Sequence, residues 1–224
     1  MNIRNQTKSV LAIAAVLTMT LTANAGSVST TTITGETDVV NTGGTLITAV
    51  NFGEAPVDIN GLIHGAGSGA DANLTDNFGF EGDYRNGQSG LGGDMETLLS
   101  GIAGANGILM DISGLTVGQD YLFQTYWESN SDQSLTVTFE GTDTLPAIVD
   151  QQTGVVIAYE FTAGDDTLNI DVDRDDGITS GDLNNWLSGY SLQTVPAVPE
   201  PSTMALWGLL GLSLFGFRRM RTKK

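Results

Sequence analysis

Apolar and polar residues alternate with a period of two along most of the chain between residues 45 and 192. Because successive side chains of a strand point to opposite faces, this period indicates β-strands rather than helices. The alternating segments are rich in β-branched and aromatic residues, and clusters of Gly, Asp, Asn or Ser separate them. We predict strands at residues 45–52, 57–64, 108–112, 121–128, 134–140, 155–162, 167–172 and 186–192.

Helical spacing is convincing at one place only. Asp94 is followed by Met95, Leu98, Leu99 and Ile102, which predicts a single short helix. About eight strands with almost no helix predict an all-β fold, and we expect a β-sandwich of the jelly-roll type in one domain over residues 26–196. An open meander of strands is the alternative topology.

Two stretches resemble segments of bacterial jelly-roll domains that are akin to carbohydrate-binding modules and galactose-binding-like domains. The first reads AVNFG at residues 49–53 with INGL at residues 59–62, and the second reads SGLTVGQDY at residues 113–121. In those domains a GLTxG turn leads into a long central strand. The resemblance implies the jelly-roll fold for this chain, and it does not identify a ligand.

The N-terminal end departs from the alternating pattern. Arg4 and Lys8 precede an apolar stretch over residues 10–21, and Ala23-Asn24-Ala25 supplies a small-x-small cleavage pattern. This order of a basic, an apolar and a small-residue region is typical of a secretory signal peptide. We therefore predict a signal peptide at residues 1–25 and an exported chain that begins near Gly26.

The C-terminal end has three parts: the motif Val198-Pro199-Glu200-Pro201-Ser202, an apolar run over residues 204–217, and a basic end over residues 218–224. This order resembles the PEP-CTERM sorting signal. The resemblance implies a Gram-negative bacterium with an extracellular polysaccharide matrix, and an exosortase-type membrane protease that cuts near the motif. We expect transient insertion into the inner membrane, and then delivery to the cell surface or the extracellular matrix.

The apolar run is expected to be a transmembrane helix within residues 197–224. It is apolar on every face, which is not typical of a surface helix of a small domain. The run would extend roughly 21 Å, which is shorter than the ~30 Å hydrocarbon core, so flanking residues such as Arg218 must extend the span. The basic end stays on the cytoplasmic side by the positive-inside rule.

The region between the two ends is strongly negative. Only Arg85 and Arg174 remain of nine lysines and arginines, whereas all 26 acidic residues lie between Glu36 and Glu200. A domain so strongly negative is repelled by nucleic acid and by anionic lipid, so we expect neither as a partner. The chain has no cysteine, and its stability must therefore come from the core or from a bound metal ion.

One acidic segment has the spacing of a calcium loop. With Asp171 as position one, carboxylates follow at Asp173, Asp175 and Asp182, and Thr179 supplies a hydroxyl at position nine. Oxygen ligands at this spacing are typical of EF-hand or dockerin-type loops, which hold Ca²⁺ at about 2.4 Å. We therefore consider a structural calcium ion at these five residues.

The segment departs from that pattern at the glycine that forms the sharp turn of such loops. Position six is Asp176, and the glycine expected there follows one place late as Gly177. A solvated acidic loop that joins the last two strands is therefore the alternative interpretation, and the sequence favours it slightly over calcium.

The sequence does not predict an enzyme. It has one histidine, His64, and it lacks both cysteine and a Gly-x-Ser-x-Gly elbow. Glycoside hydrolysis needs only two carboxylates, but no pair stands out among so many acids. We expect a structural or carbohydrate-interacting protein, and the alternative is a hydrolase or lyase that modifies matrix polysaccharide.

A carbohydrate contact is predicted on the strand YLFQTYWE. One face of this strand carries Tyr121, Phe123, Thr125 and Trp127. Because this face is mostly aromatic, we expect it to pack in the core. The other face carries Gln124, Tyr126 and Glu128. We predict that this second face is exposed and offers a polar and aromatic platform to a sugar.

Overall fold

The computed structural model describes residues 26–53, 55–67, 80–83, 90–105, 107–128, 133–149, 154–174 and 185–197. In this part of the chain there are thirteen strands, one α-helix and one 3₁₀ turn at Glu36–Asp38. The helix α1 is Gly93–Ser100. The strands are β1 Ser27–Thr32, β2 Leu46–Asn51, β3 Val57–Ile59, β4 Leu62–Ala66, β5 Phe80–Asp83, β6 Gly101–Ala105, β7 Gly107–Ser113, β8 Asp120–Trp127, β9 Gln133–Phe139, β10 Asp143–Val149, β11 Val155–Thr162, β12 Thr167–Arg174 and β13 Asn185–Thr194.

Two sheets pack face to face as a sandwich. The large sheet has the order β1-β11-β8-β13-β2-β4-β3, with β5 and β6 joined to the start of β13, and the small sheet has the order β10-β9-β12-β7. The strands β2-β13-β8-β11 face β7-β12-β9-β10, so the chain crosses between sheets as in two Greek keys. The predicted all-β, jelly-roll-type sandwich with one short helix is confirmed.

The main core lies between the two sheets and is rich in aromatic rings. The rings of Phe139 and Tyr159 stack at a centroid distance of 4.3 Å, and those of Tyr159 and Phe161 stack at 4.9 Å. Around them pack apolar side chains from both sheets, including Ile108, Met110, Ile112, Phe123, Trp127, Leu135, Val137, Ile157, Leu168, Ile170, Val172, Leu187 and Leu192. Burial of this apolar area is the principal stabilising term of the fold.

A second apolar layer covers the outer face of the large sheet. The helix α1, the β3–β4 hairpin and the segment around the 3₁₀ turn pack against Tyr126 of β8 and Val156 of β11. Their own buried residues in this layer are Ile33, Val39, Val57, Ile59, Leu62, Met95, Leu98 and Leu99. The fit is close at Gly189 in β13, where an added Cβ would lie 2.4 Å from the Val50 carbonyl oxygen and 3.0 Å from Leu98. The central strands of the large sheet are therefore buried on both faces.

The strand predicted at residues 57–64 is wrong as a single element, because the chain forms the hairpin β3–β4 there. Asn60 and Gly61 occupy the turn with φ of 51° and 79°. Positive φ at both turn residues is the requirement of a type I′ turn, and Asn-Gly is the pair that best meets it. The predicted helix was also extended too far, since Ile102 belongs to β6.

Four strands were not predicted: β1, β5, β6 and β10. The sequences of β1, SVSTTT, and of β6, GIAGA, contain mostly small or hydroxylated residues, and neither shows a clear apolar alternation. Among the described residues, no helix is long and apolar enough to cross a membrane. The predicted signal peptide and the apolar run at residues 204–217 lie outside the described residues.

Candidate functional site

The face predicted to bind carbohydrate is buried. Gln124 and Tyr126 on β8 are 0% exposed, and Glu128 just after it is 2% exposed. The prediction that Tyr121, Phe123 and Trp127 face the core is confirmed. The prediction that the opposite face is exposed is wrong, because the second apolar layer covers it and leaves no free ring at Tyr126 for a sugar.

A chain of hydrogen bonds satisfies the polar groups on this covered face. His64 Nδ1 lies 3.0 Å from the Leu62 carbonyl oxygen, and its Nε2 lies 3.3 Å from the Tyr126 hydroxyl. The Tyr126 hydroxyl in turn lies 2.7 Å from Ser191 Oγ. Since a carbonyl oxygen only accepts, Nδ1 of a neutral His64 donates to Leu62, and Nε2 accepts the Tyr126 proton.

The titration of His64 is strongly displaced. Burial lowers its pKa from 6.5 to about 4, and the hydrogen bond to Leu62 and the negative charge of Asp58 only partly oppose that effect. Burial also raises the pKa of the Tyr126 hydroxyl, against the effect of the hydrogen bond to Ser191. His64 and Tyr126 therefore remain neutral near pH 7.

Two glutamine side chains attach the segment before β2 to the large sheet. Gln124 accepts from the Val40 N–H at 2.8 Å and donates to the Val40 carbonyl at 2.9 Å. Gln193 also donates to the Val40 carbonyl at 2.9 Å and accepts from the Thr42 N–H at 3.1 Å. Gln124 is therefore a structural residue. The sequence pattern of β8 could not predict its partner, because Val40 is distant in the chain.

The residues predicted to bind calcium are only partly described. Asp171 and Asp173 lie in β12, which continues through Arg174, so the first four positions of the predicted loop form strand. Both side chains are exposed on one face, and partial burial and the neighbouring charge of Asp173 raise the pKa of Asp171. Asp175, Thr179 and Asp182 lie outside the described residues. Within the described ranges, no group of three or more His, Cys, Asp or Glu side chains is placed to hold a metal ion.

The outer face of the small sheet is exposed, in contrast to that of the large sheet. We call this surface the open face, and its residues are Leu109, Asp111, Thr136, Thr138, Thr144, Asn169, Asp171 and Asp173. In register, Asp171 stands between Leu109 of β7 and Thr138 of β9. The open face carries hydroxyl, amide and carboxylate groups around a half-exposed leucine, and Thr136 and Thr138 on it are half-buried.

A cavity of about 260 Å³ lies at one end of the large sheet, beside β1 and the start of β8. Its walls carry two carboxylates, Asp120 and Glu160, and Asp120 accepts a hydrogen bond of 2.6 Å from the Thr162 hydroxyl. The rings of Tyr121 and Phe161 stack at a centroid distance of 5.6 Å on the same wall. The sequence alone gave no reason to pair these two acids, because they come from different strands.

The last strand of the sandwich ends close to the sorting motif. The Val195 N–H donates to the Asp120 carbonyl at 2.8 Å, and Gln119 Nε2 donates to the Val195 carbonyl at 3.1 Å. The following residues, Pro196 and Ala197, are exposed. The predicted motif from Val198 to Ser202 lies outside the described residues.

Comparison with protein families supports the motif. The PEP-CTERM protein-sorting motif matches residues 197–221, which include Val198, Pro199, Glu200, Pro201 and Ser202. The sorting motif predicted from the sequence is therefore confirmed, and it indicates an exported protein that is anchored in a membrane before an exosortase processes it. No curated protein matches the chain.

Comparison with solved structures supports the fold alone. The ANX2 ectodomain from Arabidopsis thaliana is similar with a TM-score of 0.52 and 10% identity, over 70% of this chain and 52% of that chain. The ANXUR1 extracellular domain from Arabidopsis thaliana is similar with a TM-score of 0.52 and 6% identity, over 68% of this chain and 49% of that chain. The chain thus spans about half the length of these ectodomains.

Buried His64 is expected to make folding stability depend on pH. Because the folded-state pKa lies below the unfolded value of 6.5, the unfolded chain binds a proton first as pH falls. The contribution of His64 to the free energy of unfolding should drop by about 3 kcal/mol between roughly pH 6.5 and 4, and this contribution levels off below that range. Urea unfolding of the exported protein at a series of pH values measures this loss.

The His64→Gln variant is the control for this prediction, because His64 is the only histidine in the chain. Carboxylates titrate in both proteins, so the difference between the two pH profiles isolates the histidine. Parallel profiles for the two proteins would contradict the neutral, buried state of His64. If the variant does not fold, the ring proton shifts of the single histidine in wild type report the same pKa.

Proposed function

We propose that this protein is a structural component of the cell surface or extracellular matrix of a Gram-negative bacterium, and that its open face contacts polysaccharide. The observation that carries the proposal is the sorting motif at residues 197–221, directly after the last strand of the sandwich. Cleavage within the motif removes none of the described core. A complete jelly-roll domain is thereby delivered outside the cell.

The chemistry of the open face supports a sugar contact. Threonine hydroxyls and the carboxylates of Asp171 and Asp173 offer donors and acceptors that match sugar hydroxyl groups. The Asn169 amide, which also hydrogen-bonds the Glu140 carboxylate, adds to this set. The half-exposed Leu109 adds apolar area to the same surface. Since the face is acidic, it favours a neutral polymer over an anionic one.

The cavity beside β1 favours a second candidate function. Two carboxylates are the minimum for glycoside hydrolysis, and Asp120 and Glu160 both line this cavity. In this alternative the protein modifies matrix polysaccharide, as a hydrolase or a lyase. Buried His64 does not contribute, because no substrate reaches a side chain that is 0% exposed.

One experiment separates the two functions. The exported protein is incubated with the producer's own polysaccharide, and both protein retention and polymer length are measured. We expect retention without shortening of the polymer. Replacing both Asn169 and Asp171 with alanine should weaken retention by about tenfold, because two polar contacts of typical strength are lost.

The matched control replaces Ser29 and Thr30 of exposed β1 with alanine, and it should bind as wild type does. Equal retention of all three proteins would exclude the open face as the contact surface. Shortening of the polymer that disappears in the Asp120→Asn and Glu160→Gln variants would establish the enzyme instead.

We also propose a structural calcium ion that Asp171, Asp173, Asp175, Thr179 and Asp182 would hold. The exposed carboxylates of Asp171 and Asp173 repel each other on one face of β12, and a divalent cation relieves that repulsion. Calcium would supply charge neutralisation here, and it is assigned no catalytic step.

Calcium is expected to stabilise the folded protein. For a dissociation constant of ~0.1 to 1 mM, 10 mM calcium should add roughly 1.4 to 2.7 kcal/mol to the free energy of unfolding. Thermal unfolding in calcium is compared with Mg²⁺ at the same concentration and with NaCl at the same ionic strength. Equal shifts in Ca²⁺ and Mg²⁺ that persist in the Asp173→Asn, Asp175→Asn double variant would leave only a solvated acidic loop.

A further inference from the structure

A link between the two sheets lies at the first described residue. The Gly26 nitrogen donates to Asp143 Oδ2 at 2.8 Å, and the Tyr159 hydroxyl donates to the same oxygen at 2.8 Å. Gly26 precedes β1 at the edge of the large sheet, and Asp143 begins β10 at the edge of the small sheet. The carboxylate of Asp143 therefore connects the two sheets at one edge of the sandwich.

Only glycine fits at this first position. A Cβ on residue 26 would lie 2.0 Å from Cε2 of Tyr159 and 2.5 Å from its hydroxyl oxygen. The Tyr159 ring cannot move aside easily, because it is stacked between Phe139 at 4.3 Å and Phe161 at 4.9 Å. The backbone nitrogen of residue 26 is thereby held against the carboxylate.

The predicted signal-peptide cleavage changes the charge of that nitrogen. Hydrolysis of the bond between Ala25 and Gly26 adds one water, and it leaves a carboxylate on Ala25 and a free amine on Gly26. An α-amine has a pKa of about 7.7 to 8.0 and takes up a proton at neutral pH. The neutral amide donor of the precursor thus becomes an ammonium group next to an acid.

We propose that cleavage after Ala25 creates an ion pair between the Gly26 α-ammonium and Asp143, which strengthens the link between β1 and β10 in the mature protein. Maturation would then stabilise the sandwich at the edge where its two sheets are joined by β1. This inference goes beyond the proposed function, since it holds whether or not the open face binds polysaccharide.

Among the described residues, the carboxylates near the new terminus all favour its charged form. Asp143 begins β10, Glu140 lies in the turn before it, and Glu160 of β11 pairs in register with Ser27. The Tyr159 hydroxyl is neutral, because burial and the nearby charges of Asp143 and Glu140 raise its pKa. Anionic neighbours favour the charged ammonium, so the pKa of the α-amine is raised above its ordinary value.

The composition of the chain allows a selective test. No lysine lies between residues 26 and 197, so the α-amine is the one primary aliphatic amine that the processed protein should contain. The exported protein is acylated with an N-hydroxysuccinimide ester between pH 6 and 10, and intact mass follows the rate. We expect a mass that starts at Gly26, and at pH 7 a rate about tenfold lower than in the Asp143→Asn variant, which corresponds to a pKa raised by about one unit.

The control is Glu36→Gln, which removes one exposed negative charge elsewhere and should leave the rate unchanged. The stabilisation that this ion pair gives the folded protein should be fully present below roughly pH 8. It should be lost as pH rises through the raised pKa of the amine. Acylation should accordingly lower the melting temperature of wild type and leave that of Asp143→Asn nearly unchanged.

Equal acylation rates in wild type and in Asp143→Asn, or a mature chain that starts at another residue, would overturn the proposal. If Asp143→Asn does not fold, the native wild type is compared with the same protein unfolded in urea. A faster reaction of the unfolded protein at pH 7 supports the ion pair, and an equal rate contradicts it.

Discussion

Burial of the central strands of the large sheet on both faces is the constraint on which the structure depends. The strands β8 and β13 pack against the aromatic core on one face and against the second apolar layer on the other. Any polar group on the covered face must find a partner inside the protein, since water is excluded. Gln124 and Gln193 meet this need by binding the backbone of Val40, and Tyr126 meets it through His64 and Ser191.

The position of β13 relates the fold to export. The last described strand, β13, lies in the middle of the large sheet, between β8 and β2, and the sorting motif begins three residues after it ends. The sandwich therefore cannot close until nearly the whole chain is available. Pro196, which precedes the motif, and Ala197, its first residue, are exposed, so the described core ends before the motif begins.

The sequence predicts the fold class because alternation along β7, β9, β11 and β12 reports burial on one face. Alternation could not reveal that β8 is buried on both faces. Gln124 and Glu128 are polar residues of the kind usually found at the surface, and the sequence does not show what packs over them. The second layer depends on contacts between residues distant in sequence, such as Leu98 with Gly189. The hairpin at Asn60-Gly61 was predictable from its turn residues, whereas the position of Asp120 and Glu160 beside one cavity was not.

The central claim is that this jelly-roll domain is exported and separated from its C-terminal sorting signal. The most direct measurement is the intact mass of the protein recovered from the cell surface and the matrix. The account predicts a chain that ends within residues 198–202 and lacks the apolar run and the basic end. Recovery from the matrix of a chain that retains Trp207 and Arg218 would contradict it.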